Sequence, residues 1–389
     1  MTRAWLSGWL AGHEQALIAV RRDLRAHPEV GRQERRTTAA VARVLREAGL
    51  APQALRAGTG LVCDIGSGEP TVALRADLDA LPLPDLTDAA YRSTVDGVCH
   101  ACGHDVHTAA VLGAGLALAA APGRPGRVRL VFQPAEELTP GGALDVLAEG
   151  ALAGVSRIFA LHCDPALDVG KVGLRVGPIT AAADHVEVHL SGPGGHTARP
   201  QLTADVVLAA GLLITTSAAA LSRLVDPRAA ASLIWGSVQA GRAGNAIPSS
   251  GVIAGTLRTL SGEFWDDAEK VITQLVRQVV APTGVGADVT YVRGVAPVVN
   301  DASCVDLLRA GVVDCLGAAA VTDTPQSMGG EDFGWYAAEL PAALARLGVR
   351  TPGGASYDLH QGLFDVDKRC IAVGVRALVG TVLAALAAG

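Results

Sequence analysis

Val128-Arg-Leu-Val-Phe-Gln-Pro-Ala-Glu-Glu137 places two adjacent carboxylates directly after a short apolar run. The run from Val128 to Phe132 is rich in β-branched and aromatic residues and has apolar side chains on both faces, which is typical of a buried strand. Glu136 and Glu137 would then follow the carboxyl end of that strand, where open α/β sheets bind their ligands.

Two other predicted strands lead into polar residues in the same way. The strand Val72–Ala76 runs into Asp77 and Asp79, and the strand Ile158–Leu161 runs into His162. Helical patterns alternate with these strands, which indicates a largely parallel sheet. We therefore predict that three clusters of titratable side chains lie along one edge of that sheet.

The segment His100-Ala-Cys-Gly-His-Asp-Val-His107 crowds one thiol, three imidazoles and a carboxylate into eight residues, although the chain has only 10 His and 7 Cys. Thiolate and imidazole are the ligands that transition metals prefer. A single histidine in such a turn could simply be solvated, but this crowding favours a metal site. Further donors are available later in the chain: Glu136, Glu137, His162 and His360.

The order of predicted elements changes between Ala183 and Gly294. It becomes β-α-β-β-α-β, the order of a ferredoxin-like split unit, whose two ends lie close together and suit insertion into another domain. We predict a discontinuous α/β catalytic domain over residues 1–182 and 295–389, with a mostly parallel sheet. An α+β domain over residues 183–294, expected to act as a lid and in dimerisation, interrupts it.

The composition excludes several classes of partner. The net charge is −6 and no run of Lys or Arg stands out, so nucleic acid is not expected to bind. The N-terminal apolar run is too broken for a signal peptide, and the apolar stretch Ala109–Ala121 is too short to span a bilayer. Seven scattered cysteines, an odd number, suit a reducing compartment. We expect a cytoplasmic protein with no membrane partner.

Nine segments, in this order, resemble those of the dinuclear aminoacylase/carboxypeptidase superfamily of metallohydrolases. The most similar branch contains hippurate hydrolases, N-acyl-amino-acid amidohydrolases and auxin-conjugate amidohydrolases. The segments are Leu74-Arg-Ala-Asp-Leu-Asp-Ala-Leu-Pro82, His100–His107, Phe132-Gln-Pro-Ala-Glu-Glu137, Ala160-Leu-His162, Gly192-Pro-Gly-Gly-His-Thr197, Gly244-Asn-Ala-Ile-Pro248, Gly255-Thr-Leu-Arg258, Gly330-Glu-Asp-Phe333 and His360-Gln-Gly362.

The resemblance implies a site for two divalent transition-metal ions, expected to be Mn²⁺ or Zn²⁺, with Co²⁺ or Ni²⁺ as alternatives. The implied ligands are Cys102, His104, Glu137, His162 and His360. Cys102 would bridge the two ions as a thiolate. Glu136 matches the general base of the family, and Asp77 matches an acidic residue that orients a ligand. From the residues alone, the Glu136–Glu137 pair could instead cap the following helix.

Three residues of the inserted domain complete the implied site. His196 follows Gly194 and Gly195 in a turn that by itself suggests a solvated residue, but the resemblance implies that it donates to the oxygen of the scissile carbonyl, often in the partner subunit. Asn245 and Arg258 would bind substrate, and Arg258 would pair with a free carboxylate unless it is an ordinary surface arginine. The family often has a histidine where this chain has Gln201.

The activity implied by the resemblance is metal-dependent hydrolysis of the amide bond of N-acyl amino acids or related conjugates. A homodimer through the inserted domain is expected, because the free edge of its sheet is a surface that proteins commonly protect by pairing. A dipeptidase or aminopeptidase on the same scaffold stays open. A non-catalytic metal-binding protein is disfavoured, because the base and all five ligands are present.

Overall fold

The computed structural model describes residues 2–121 and 126–388 and divides the chain into two compact units. The first unit runs to Gly177 and resumes over Val299–Pro325 and from Trp335 onward. The second unit comprises Pro178–Val298 and Gln326–Gly334. The predicted inserted domain, residues 183–294, thus lies within the second unit.

The stretch Gln326–Gly334 differs from the sequence prediction, which placed it in the catalytic domain. Its backbone is paired with the start of the second unit: Ser327 N donates to Ile179 O at 2.9 Å, and Ala181 N donates to Gly329 O at 3.1 Å. Such a pairing between segments far apart in the chain leaves no periodic signal in the sequence, so the local pattern could not reveal it.

Nine α-helices and sixteen strands are assigned in the described part of the chain. From the N-terminus to the start of the second unit they are α1 Thr2–Ala26, α2 Arg35–Glu47, β1 Gln53–Ala54, β2 Leu61–Gly66, β3 Thr71–Asp77, α3 His104–Ala120, β4 Arg127–Gln133, α4 Ala143–Ala148, β5 Val155–Asp168, β6 Val172–Leu174 and β7 Gly177–Thr180. They continue with β8 Ala182–Ser191, β9 Gly195–His196, α5 Val206–Leu224, β10 Ser232–Ala240, β11 Ala246–Ile247, β12 Ser250–Thr259, α6 Gly262–Val280, β13 Gly286–Val295, β14 Val298–Asn300, α7 Ala302–Leu316, β15 Val321–Asp323, α8 Gly334–Glu339, β16 Ala342–Arg350 and α9 Arg369–Ala388.

The first unit is built on an eight-stranded sheet with the strand order β1-β2-β4-β3-β5-β16-β6-β15. The central strands β4, β3, β5 and β16 are mutually parallel, as are β6 and β15, and the remaining neighbours are antiparallel. A mostly parallel sheet within an α/β architecture was the sequence prediction, and it is confirmed.

Small residues allow the helices of the first unit to pack closely against one another. A Cβ added at Gly113 of α3 would lie 2.7 Å from side-chain carbons of both Leu17 in α1 and Val375 in α9. In the same way, a Cβ at Gly380 of α9 would lie 2.4 Å from the carbonyl oxygen of Gly311 in α7. This close packing accounts for the abundance of Ala and Gly and the scarcity of aromatic residues.

The second unit contains a four-stranded antiparallel sheet with the order β10-β12-β8-β13. Helix α5 follows β8 and α6 follows β12, so the chain order is the predicted β-α-β-β-α-β. The helices begin where capping residues stand, because Asp205 accepts from Val207 N and Leu208 N, and Ser261 accepts from Phe264 N.

Two helices of the described residues are long and apolar enough to cross a membrane by length and composition, α5 and α9. Two thirds of α9 is buried, at 67%, where it packs against α3 and α7, so its apolar character serves the core. Only 33% of α5 is buried. Its apolar side chains therefore form part of the surface of the second unit.

Candidate metal centre

The three predicted clusters of polar side chains meet at one edge of the eight-stranded sheet. The last residue of β3, Asp77, is in register with Gln133, the last residue of β4. On the other side of β3, Arg75 pairs with Ala160, which places His162 level with Asp77. One detail differs from the prediction: β5 does not end before His162 but runs on, because β16 keeps pairing with it.

A glycine at the start of α3 brings Cys102 to this edge. Gly103 has a φ of 88°, and a Cβ at this position would lie 2.6 Å from Sγ of Cys163. Both the backbone conformation and the lack of space therefore require glycine. The resulting turn places Sγ of Cys102 3.5 Å from Nε2 of His162.

The five predicted ligands and Glu136 form three overlapping groups of potential ligand atoms, and within each group all atoms lie within 4.8 Å of one another. The groups are Cys102–His104–His162, Cys102–Glu137–His360 and His104–Glu136–Glu137. Cys102 belongs to two of them. A thiolate shared between two cations would occupy such a position.

A buried nitrogen without a hydrogen bond fits the metal ions that the resemblance implies. Nε2 of His104 is buried and has no hydrogen bond among the described residues. Polar atoms in this condition are costly unless a ligand satisfies them. Burial acts to lower the pKa of His104, but Asp77, Asp79 and Glu137 outweigh it and raise that pKa to about 10. The site thus favours positive charge.

Backbone carbonyls set the tautomer in which two of the histidines can bind a metal. Nδ1 of His104 donates to the carbonyl of Asp79, and Nδ1 of His162 donates to the carbonyl of Cys163, each at 2.9 Å. Because a carbonyl can only accept, Nε2 of each neutral ring carries the lone pair. Burial also lowers the pKa of His162 well below its ordinary value, which keeps that ring neutral.

Asp77 lies beside the ligands and contacts them mainly through His107. Its Oδ1 accepts from Nδ1 of His107 at 2.7 Å, and its Oδ2 accepts from Arg75 at 2.8 Å. Oδ2 is 3.7 Å from Nε2 of the predicted ligand His104, too far for a hydrogen bond. The residue that holds His104 is Asp79, so the orienting role of Asp77 stays a prediction.

The Glu136–Glu137 turn is held by two buried carboxylates. Asp79 accepts from the backbone N–H groups of Glu136 and Glu137 at 3.0 and 2.9 Å, one with each oxygen. Glu34 accepts from Ala135 N at 2.7 Å, and Ala135 has a φ of 54°. The next helix, α4, begins only at residue 143, so the pair does not cap it. The helix-capping alternative is therefore wrong.

His360 is the most exposed of the predicted ligands, with 51% of its side chain accessible. Its φ of 63° is rare for a residue with a side chain, and its backbone N donates to the carbonyl of Ala101 at 2.9 Å. This places Nε2 3.3 Å from Oε1 of Glu137. The following segment is anchored by Arg25, which donates to the carbonyl of Phe364.

In the second unit, His196 and Asn245 share one two-stranded ribbon. His196 ends β9, which pairs with β11, and Asn245 directly precedes β11. Nδ1 of His196 accepts from Ala198 N at 3.0 Å, so in the neutral ring the proton is on Nε2, which is free to donate. Arg258 is at the far end of β12 and donates to the carbonyl of Met328 at 2.5 Å.

Two residues near the metal centre were not singled out from the sequence. Glu34 stands among other charged residues, so nothing in its surroundings indicated that it would be buried. Arg346 did leave a signal, because it is the one charged residue in the apolar run from Ala342 to Val349. It lies beside His162 on the neighbouring strand.

Comparison with known proteins links this geometry to a family. Residues 73–384 match the sequence profile of a family described as "Peptidase family M20/M25/M40". The chain is also similar to a solved Bacillus subtilis structure described as a dinuclear metal binding peptidase from the M20 family. The identity is 31%, the TM-score is 0.85, and the match covers 97% of this chain and 99% of the other.

Curated relatives match over most of the chain. An N-acetyl-L-cysteine deacetylase of Bacillus subtilis is 37% identical, over 92% of this chain and 85% of the relative. An Arabidopsis thaliana protein named IAA-amino acid hydrolase ILR1-like 4 is 33% identical, over 92% and 83%.

A Rhodococcus jostii protein named as a glutamate–cysteine ligase is 50% identical over 94% of this chain. The chain spans only 46% of that relative's length. More than half of that protein thus lies outside the match, and we take no activity from its name.

Proposed function

The chain belongs to peptidase family M20/M25/M40 and is an amide-cleaving hydrolase with a dinuclear metal site, and from this premise we propose that it deacylates N-acyl amino acids. The observation that carries the proposal is Glu136, a carboxylate that lies within the ligand cluster next to the ligand Glu137. The names of the relatives support the substrate class, since one removes an acetyl group from N-acetylcysteine and another hydrolyses IAA-amino acids.

The residues divide the chemistry between them. Two divalent ions, when bound, would polarise the scissile carbonyl and activate a water molecule. Glu136 takes a proton from that water and delivers it to the leaving nitrogen, so that the amide and water become a carboxylate and a free amine. Glu137 cannot serve as base and ligand at once, and it would hold the ions together with Cys102, His104, His162 and His360. His196 donates from Nε2 to the carbonyl oxygen.

We also propose which metal ions bind, in which compartment the protein works and which further residues contact the substrate. The mixed thiolate, imidazole and carboxylate ligands suit Mn²⁺ or Zn²⁺, with Co²⁺ or Ni²⁺ as alternatives. A cytoplasmic location is supported by the cysteines, because all seven are free and buried. Asn245 and Arg258 contribute to substrate binding.

The second unit carries a surface suited to a homodimer. Strand β10 is at an edge of the four-stranded sheet, and its Ile234 and Val238 are 64% and 50% exposed. On α5, Val207, Leu208 and Ile214 are 50%, 54% and 41% exposed. An unpaired strand edge and apolar side chains exposed within one unit are features of association surfaces.

A substrate screen joined to metal analysis tests the proposal. Metal-loaded protein is assayed with N-acetyl and N-benzoyl amino acids, with indole-3-acetyl conjugates and with free dipeptides. We expect about two metal ions per chain and a clear preference for the N-acyl compounds. A preference for free dipeptides would instead make the chain a dipeptidase or aminopeptidase.

The variant Glu136→Gln identifies the base. We expect it to keep both metals and to lose turnover by about 10²–10⁴-fold, the usual effect of a positioned acid or base. Glu137→Gln is the matched control, and it should lose metal as well as activity. If the Glu136→Gln protein loses metal while the Glu137→Gln protein keeps it, the roles of the two carboxylates are reversed.

A further inference from the structure

Arg346 is a buried cation in the middle of an apolar strand. In the run from Ala342 to Val349 of β16 every other residue is Ala, Leu, Gly or Val, and every residue of the run is buried. Arg346 itself is 9% exposed. Removing a guanidinium from water is costly unless an anion or hydrogen-bond acceptors replace the water.

Among the described residues, no side chain or backbone group forms a hydrogen bond or an ion pair with the guanidinium of Arg346. The three more deeply buried arginines of the first unit are all paired with carboxylates: Arg21 with Asp105, Arg25 with Asp85 and Arg75 with Asp77. Arg346 thus differs from the other buried arginines of the first unit, because it has no carboxylate partner among the described residues. The small exposure that remains leaves it open to a ligand.

The position of Arg346 directs it toward the metal centre. It is in register with His162 on β5 and with Gly173 on β6. Residues in register on neighbouring strands project from the same face of a sheet, so Arg346 shares a face with the ligand His162. Gly173 contributes no side chain to that row, and a Cβ there would lie 3.2 Å from Cβ of Arg346. The base of the Arg346 side chain is thus closely packed on this face, where only glycine fits beside it.

Arg346 stands next to the predicted ligand His162, because the two are paired residues of adjacent strands. A fixed positive charge in this position favours an anion bound beside it. A carboxylate on the substrate supplies such an anion, and guanidinium groups bind carboxylates with two parallel hydrogen bonds.

We infer that Arg346 binds the free α-carboxylate of the N-acyl amino acid and thereby selects substrates that carry one. This inference rests on the proposed function. Arg258, which the family resemblance implied for this role, already donates to the carbonyl of Met328 and is half-buried at the end of β12. The guanidinium of Arg346, in contrast, has no such partner among the described residues.

The test compares one N-acyl amino acid with its C-terminal carboxamide, which has the same shape but no charge. For the carboxylate substrate we expect Arg346→Gln to raise KM by roughly 30- to 1000-fold, the range for losing one partner of a buried charged pair. For the carboxamide, KM and kcat should change by less than about threefold. Arg346→Lys keeps the charge without the fork and should restore part of the affinity.

Arg350→Gln is the matched control, because Arg350 lies on the same strand but is paired with Asp168. It should leave KM and kcat unchanged for both substrates. The metal content should be unchanged in all three variants. An equal loss on both substrates, or no loss on either, would overturn the role of Arg346 while the proposed function stands. A wild-type protein that cleaves no N-acyl amino acid would overturn the proposed function and this inference with it.

Discussion

Cys102 is the residue on which we expect the dinuclear character of the site to depend. Burial, with Glu137 and Glu136 nearby, raises the pKa of its thiol well above the ordinary value, so the thiolate can exist here only when cations stabilise it. Its sulfur belongs to two groups of potential ligand atoms, and within each group the atoms lie within 4.8 Å of one another. Substitution of this single atom therefore affects both predicted metal positions.

We predict that Cys102→Ser lowers metal content and activity together. A neutral hydroxyl is a poor replacement for a bridging thiolate, so the metal retained after desalting should fall to about one ion per chain or less. Metal analysis and turnover are measured on the same sample. Cys163→Ser is the control, because Cys163 is equally buried but belongs to none of the ligand groups. Full metal content with normal turnover in the Cys102→Ser protein would remove Cys102 from the ligand set.

How far a single residue could be predicted depended on its neighbours in the sequence. Cys102 and His104 stand within one crowded motif, and the chemistry of that motif is visible without a fold. Asp79 was visible only as one of a strand-end pair. Its backbone carbonyl and both of its carboxylate oxygens turned out to organise the site. Such roles depend on which chain segments meet, and a local sequence pattern does not contain that information.

At the scale of elements, the turn between β4 and α4 is the part of the site that needs the most support. Three successive backbone N–H groups, from Ala135 to Glu137, are each bound by a buried carboxylate oxygen. Ala135 also adopts a positive φ, which costs energy for any residue except glycine. Glu34 and Asp79 together keep the turn in this conformation, and they thereby position the proposed base Glu136 and the proposed ligand Glu137.

We predict that Glu34 makes stability depend on pH near neutrality. Burial, with the nearby carboxylate of Asp79, raises the pKa of Glu34 from 4.5 to about 7. The folded protein therefore holds this proton more tightly than the unfolded chain. The resulting stabilisation is complete below about pH 4.5 and is lost as the pH rises through 7. The substitution Glu34→Gln keeps an acceptor for Ala135 N and carries no charge.

The melting temperature of metal-loaded protein at pH 5.5, 7.0 and 8.5 checks this prediction. The Glu34→Gln protein should gain on the wild type as the pH rises, whereas the exposed control Glu47→Gln should follow the wild type throughout. Glu34→Ala removes the acceptor and should lower kcat as well. Parallel curves for the wild type and the Glu34→Gln protein would show that Glu34 does not titrate in this range.

At the scale of the whole molecule, strand patterns predicted β3, β4 and β5 of the first sheet and the element order of the second unit, but not β6, β15 or β16. The parallel strands β3, β4 and β5 are apolar on both faces, and the strands of the second unit alternate, as in β8. The boundary between the units was predicted less well, because residues 326–334 join the second unit through contacts between segments far apart in the chain. Strand periodicity reports which face is buried, but not which distant segment lies alongside.

The whole-molecule question that decides the mechanism is whether one chain can complete its own site. On β12, Arg258 pairs with Ala183 and Ser250 pairs with Ser191, so these pairs mark opposite ends of the sheet. Eight residues at about 3.3 Å each separate them by roughly 26 Å. His196 lies beyond the Ser191 end. If Arg258 and His196 act on the same substrate, they come from two different chains.

We therefore predict that a Glu136→Gln protein and a His196→Ala protein restore activity when they are mixed. In a mixed dimer, the His196→Ala chain retains Glu136 and receives His196 from its partner, so one of the two sites is complete. After free subunit exchange, roughly a quarter of the wild-type activity should return, because half of the dimers are mixed and each has one working site.

Subunit exchange is verified by giving the two variant chains different masses, so that mixed dimers can be recognised. A mixture of Glu136→Gln with the double variant Glu136→Gln/His196→Ala serves as the control and should stay inactive. No recovery after demonstrated exchange would mean that His196 acts within its own chain or has no part in the reaction.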